Sequence, residues 1–156
     1  MSVRYAVLTL LLSTSVFAQG LMEERIWKIS GRKKSIFLDS GVFHVNSNVT
    51  NAGITGVRNS VGAGQGYERI VVDFSSATVP KIYGHISPVN NKLSVDFFNT
   101  SAMTNQPNIK NSKFVKSIDF ISVDGKTMTM EMALKSKGSF DVFYLENPAR
   151  LVIDIR

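Results

Sequence analysis

Three segments of this chain share one pattern: Arg69-Ile-Val-Val-Asp73-Phe74, Lys92-Leu-Ser-Val-Asp96-Phe97 and Arg150-Leu-Val-Ile-Asp154-Ile155. In each, a cation and an aspartate stand four residues apart and apolar residues fill the second, fourth and sixth places. Successive side chains of an extended strand point to opposite faces, so this spacing sends Ile70, Val72 and Phe74 one way and Arg69, Val71 and Asp73 the other. A helix would scatter the same residues around its surface. The pattern therefore predicts a sheet with one apolar face and one charged, partly apolar face. Two readings of the charges stay open at this point. They form solvated cross-strand ion pairs, each contributing under about 1 kcal/mol, or they form a recognition surface.

The remaining chain extends the strand pattern. Strands are expected over residues 25–29, 35–38, 42–45, 54–58, 67–74, 81–86, 92–99, 115–123, 127–135, 140–144 and 150–155, with turn residues between them at Pro80, Pro88, Asn90-Asn91, Lys137-Gly138 and Asn147-Pro148. The Asp124-Gly125 step between two alternating segments is a hairpin signal. Thr127 to Leu134 alternates strictly, which directs Met128, Met130, Met132 and Leu134 into a core. Residues 104–113 are polar and read as a loop. Many short strands and no convincing long helix give an all-β fold, a β-sandwich of two small sheets with an N-terminal β extension. The domains read as 1–18, 19–53 for the extension and linker, and 54–156 for the sandwich.

The N-terminus predicts export. Arg4 precedes an apolar run from Ala6 to Leu12, and Val16-Phe17-Ala18 supplies small residues for cleavage after Ala18, the layout of a secretory signal peptide. The run is too short to span a bilayer, which takes about 20 apolar residues, and the chain from Gln19 holds no other candidate span. Cysteine is absent, so disulfides, thiolate metal sites and a cysteine nucleophile are excluded. The net charge is +6, falling by one once Arg4 is removed. A basic exported protein favours anionic envelope partners such as wall polymers, lipid head groups or lipopolysaccharide over nucleic acid. Its densest cationic cluster, Arg25, Lys28, Arg32, Lys33 and Lys34, reads first as a solvated flank.

Catalytic signatures are weak. His44 and His85 lie in different strands without metal-ligand spacing. Ser30-Gly-Arg-Lys33 matches Ser-x-x-Lys formally but lies in a basic turn without the companion motifs. The glycine run Val61-Gly62-Ala63-Gly64-Gln65-Gly66 lacks the Gly-Lys-Ser/Thr ending of a phosphate loop and leads into a strand. A glycosidase pair would need two of Asp73, Asp96, Asp119, Asp141, Glu146 and Asp154 to converge. Binding is better supported: Tyr67, Tyr83, Phe143 and Tyr144 offer rings for sugar faces, and Arg69, Lys92 and Arg150 offer charge-assisted hydrogen bonds to carboxylates. The same rings would also serve a core.

Ile54-Thr-Gly-Val-Arg58, Gly66-Tyr-Glu-Arg-Ile-Val-Val-Asp-Phe74 and Phe143-Tyr-Leu-Glu-Asn-Pro-Ala-Arg-Leu-Val-Ile-Asp-Ile155 resemble the motifs of the AMIN domain, the non-catalytic module found beside bacterial N-acetylmuramoyl-L-alanine amidases and in secretins. The resemblance covers residues 54–156 and rests most on the closing motif. It implies a two-sheet β-sandwich in the periplasm that binds peptidoglycan or another anionic envelope polymer, or positions an amidase, secretin or divisome protein, without catalysis, cofactor or metal. The candidate ligand-binding residues are Arg69, Asp73, Tyr83, Lys92, Tyr144, Arg150 and Asp154. Residues 21–51 have no counterpart in the family pattern, and residues 1–156 contain no amidase or secretin segment.

Overall fold

The computed structural model describes residues 25–31, 35–62, 64–101, 107 and 109–156. The expected signal peptide, and Arg32, Lys33 and Lys34 of the basic cluster, lie outside the described residues. The fold is all-β: β1 (Ile26–Lys28), β2 (Gly41–Val45), β3 (Ala52–Val61), β4 (Glu68–Phe74), β5 (Ile82–Ser87), β6 (Lys92–Phe98), β7 (Thr100–Ser101), β8 (Val115–Ser122), β9 (Thr127–Leu134), β10 (Phe140–Leu145) and β11 (Arg150–Ile155). They build a six-stranded sheet in the order β1-β2-β5-β6-β9-β8 and a five-stranded sheet in the order β10-β11-β4-β3-β7. No helix among the described residues is long and apolar enough to cross a membrane.

Alternation builds the core. Ile70, Val72, Leu151 and Ile153 from one sheet and Leu93, Val95, Met130 and Met132 from the other are all fully buried, the methionine stripe included. Burying a side chain of this size stabilises the fold by about 1.5–3 kcal/mol relative to leaving it in water. Phe74 meets Phe97 edge to face across the interior, with ring centroids 5.4 Å apart. Gly84 on β5 is the close-approach point, because a Cβ there would collide with the Phe43 ring from β2. The Asp124-Gly125 step joins β8 to β9 as expected, with Gly125 at φ +75°, a conformation that carries no Cβ penalty in glycine.

The N-terminal extension becomes part of both sheets. β1 pairs in parallel with β2, and β2 pairs antiparallel with β5, so the extension widens the six-stranded sheet. The chain then crosses to the other sheet, where the Tyr144 amide donates to the Ser30 carbonyl at 3.3 Å and Leu38 exchanges backbone hydrogen bonds with Phe140 at 2.7 and 2.8 Å. The strand expected at residues 35–38 is reduced to that single bridge at Leu38. Ser35, the first residue expected in that strand, has a φ of +47°, outside the extended region. Ile29, Phe43 and Val45 enter the main core. β7, a strand not expected from the sequence, lies parallel to the start of β3.

Candidate binding surface

β4 and β11 carry the first and last copies of the repeated motif, and they lie side by side and antiparallel. Their register sets Arg69 opposite Asp154 and Asp73 opposite Arg150. With β3 and β10 as outer neighbours, the outward face of the five-stranded sheet becomes three rows. One row runs Gly56, Asp73, Arg150, Leu145; the middle row runs Arg58, Val71, Val152, Phe143; the third runs Ser60, Arg69, Asp154, Asp141. Val71, Val152 and Phe143 form a small buried cluster of their own, edged by Leu145. An apolar stripe thus separates two charged ones.

The charges pair across strands. Arg69 grips Asp154 with two parallel bonds, Nε to Oδ1 at 2.7 Å and Nη2 to Oδ2 at 2.9 Å, the bidentate geometry that makes guanidinium–carboxylate pairs strong. The Asp154 side chain is fully buried while that of Arg69 is about one-third exposed. The hydrogen bonds that Arg69 donates to Asp154 raise the Arg69 pKa above the ordinary arginine value; burial opposes the rise, and the Asp154 and Asp141 charges add to it. The guanidinium also lies 5.5 Å from the Tyr67 ring centroid and 5.6 Å from that of Phe143.

Asp73 takes a different partner. Arg58 of β3 donates to it from Nε at 3.0 Å and Nη2 at 3.3 Å. Arg150, across from Asp73, is left with a buried Nε that has no hydrogen-bond partner. Arg58 was missed as a site residue although it closes the first quoted motif. Its partner lies on the neighbouring strand, which the motif alone does not specify.

The seven candidate residues divide among three places. Arg69, Asp73, Arg150 and Asp154 share the outward face just described. Tyr83 and Lys92 belong to the outward face of the six-stranded sheet, where Tyr83 stands opposite Asp96 and Lys92 pairs with Glu131 at 3.1 Å. Asp96 accepts a 2.6 Å hydrogen bond from Thr129 Oγ1. Tyr144 has the inward phase of β10, packs against the main core and meets Gly31. The middle motif copy, in β6, is therefore remote from the other two.

Glu68 is the other residue that sequence reasoning passed over. Fully buried, it accepts from Asn59 Nδ2 at 2.8 Å, Ser112 Oγ at 3.0 Å, and the amides of Lys113 and Phe114 at 2.9 Å each. It fixes the polar segment leading into β8 to the β3–β4 end of the sandwich. The signal was available in the phase of β4, since Glu68 shares the inward parity of Ile70, Val72 and Phe74. Among the described residues no group of three or more His, Cys, Asp or Glu side chains could hold a metal ion.

Compared with models of protein families, with curated proteins and with solved structures, the chain matches none.

Proposed function

We propose that this chain is an exported, non-catalytic module of the bacterial cell envelope, similar in kind to the AMIN domain, that binds peptidoglycan through the outward face of the five-stranded sheet. The observation that carries the reading is the antiparallel apposition of the two Arg-x-x-x-Asp strands. Their two-fold arrangement repeats the cations Arg69 and Arg150 on either side of a buried apolar stripe, a repeat that suits a polymer whose peptide carboxylates also repeat. Arg58, more than half exposed, and Arg69 beside the partly exposed Tyr67 ring provide charge and stacking surface. Asp73 and Asp154 of this face are engaged by arginines, which supports binding over proton transfer.

The test is sedimentation of the chain from Gln19 with purified sacculi across a salt series, with the supernatant assayed for released muropeptides. Salt-sensitive pelleting without release is the expected result. Release of muropeptides would replace the binding reading with an enzymatic one.

A second reading, docking of an amidase, secretin or divisome component, is favoured by β8. It ends the six-stranded sheet, spans Val115–Ser122, and exposes Ile121, with Val123 exposed just beyond it. An open edge of this kind accepts an added strand. A photo-cross-linker at Ile121 would capture a specific envelope protein under this reading and nothing specific under the first.

A further inference from the structure

At the rim of the sandwich the ladder of β10 and β11 continues for one more pair: Ser139 and Arg156 exchange backbone hydrogen bonds at 2.9 and 3.1 Å. Beside this pair opens a cleft of about 350 Å³, with Lys92, Lys137, Arg156, Asn91, Ser139 and Asp39 in its wall. Three cations face one aspartate there. Lys92 is engaged by Glu131, whereas Lys137 and Arg156 form no ion pair among the described residues, and the Arg156 guanidinium carbon lies over the Phe37 ring, 3.9 Å from its centroid. The Asn91 carbonyl oxygen Oδ1 is buried without a hydrogen-bond partner. Asn91 is held in a left-handed turn conformation, φ +50°, and its backbone carbonyl accepts from the Leu134 amide at 2.9 Å, so the side chain is presented from a fixed backbone.

A cleft with two cations lacking carboxylate partners and one shielded, unused acceptor calls for a ligand that joins an anion to an N–H donor at short range. We infer that it takes the free carboxyl end of a peptide: the terminal carboxylate between Lys137 and Arg156, and the last amide N–H on Asn91 Oδ1. Capture of a terminal carboxylate in this way combines charge-assisted hydrogen bonds with one directional neutral bond. The source of the peptide rests on the wall-binding reading, since the stem peptides of peptidoglycan end in such a group; a protein tail carries the same chemistry.

The test is nuclear magnetic resonance titration of the chain from Gln19 with acetyl-D-Ala-D-Ala, its L,L counterpart and the D,D C-terminal amide. The free acid is expected to move the backbone amide signals of Asn91, Gly138 and Ser139. The amide should bind at least about tenfold more weakly, having lost a charge-assisted contact. Lys137→Glu, at an exposed position, should weaken the acid roughly fivefold. Asn91→Gly, which tolerates the positive φ, should also weaken it while leaving the rest of the spectrum in place. Equal binding of acid and amide, or unmoved cleft signals at saturation, overturns the inference. A D,D preference supports the wall as source, and its absence with intact acid selectivity overturns the wall in favour of a protein tail. Sedimentation with sacculi is read separately: a protein that pellets but ignores the peptides refutes the cleft and leaves the wall-binding reading standing.

Discussion

The outward faces of the two sheets start from the same motif and end differently. On the five-stranded sheet two copies lie next to each other, so each aspartate has an arginine within reach on an adjoining strand, and Asp154 is fully buried in a bidentate pair. On the six-stranded sheet the single copy in β6 lies between β5 and β9, whose facing residues are Tyr83 and Thr129 for Asp96, and Ser87 and Ala133 for Lys92. Lys92 and Glu131 there are both more than one-third exposed, and Tyr83 and Ile121 stand in solvent. A motif with one spacing, built on arginine in β4 and β11 and on lysine in β6, thus yields a desolvated charge pair or an ordinary wet one, according to its cation and to what the topology places beside it.

The difference can be broken by substitution. The largest effect is expected at the inward carboxylate of β4. Glu68→Ala removes the acceptor of four hydrogen bonds and strands buried donors, a loss of about 3 kcal/mol read from the urea midpoint. Asp154→Ala should follow at about 2 kcal/mol, below the full loss for a buried pair because Arg69 keeps some water access. Asp96→Ala, which loses one hydrogen bond from Thr129, should cost about 1 kcal/mol. Lys92→Ala should stay under about 0.5 kcal/mol. Equal losses for Asp154→Ala and Asp96→Ala would erase the contrast between the faces.

The smallest effect is pH-dependent. The amides of Lys126 and Thr127 donate to the Asp124 carboxylate at 2.9 and 2.6 Å and hold its pKa below the usual carboxylate range. A depressed carboxylate adds stability above its unfolded pKa and loses it as pH falls through the folded value. Asp124→Asn should therefore melt slightly below the parent at neutral pH, and the gap should close in acid. The raised pKa of Arg69 works in the opposite sense. Its stabilisation is fully present below the unfolded arginine pKa and fades only as pH rises through the folded one, so the Arg69 charge itself adds no pH dependence to thermal melts between neutral and mildly acidic pH.

Local spacing made much of the fold legible. The alternation of β4, β6, β9 and β11, the methionine stripe and the Asp124-Gly125 turn all follow from period and turn chemistry. The partners of the charges were not legible, because register between strands is a tertiary property: Arg69 finds Asp154 across 85 positions of sequence, and Asp73 finds Arg58 on a strand that the motif does not mention. Tyr144 and Glu68 show the opposite lesson. Both were readable from parity, one as an inward ring and the other as an inward carboxylate, yet residue type drew attention to sugar stacking in the first case and away from the core in the second. The extension was also harder to place, since β2 finds its pairing in β5, well along the chain, and β1 joins the sheet only through β2. Removing residues 21–45 would take Phe43 and Val45 out of the core, so that deletion tests folding before it tests docking.

The most direct measurement is co-sedimentation with sacculi of the parent chain from Gln19 and of Arg58→Glu, a change at an exposed position of the proposed face, with thermal melts run on both. The account predicts that the parent pellets at low salt and is released as salt rises, while a folded Arg58→Glu variant remains largely in the supernatant. Equal pelleting of the two folded proteins, or a parent that stays in solution at low salt, would contradict it.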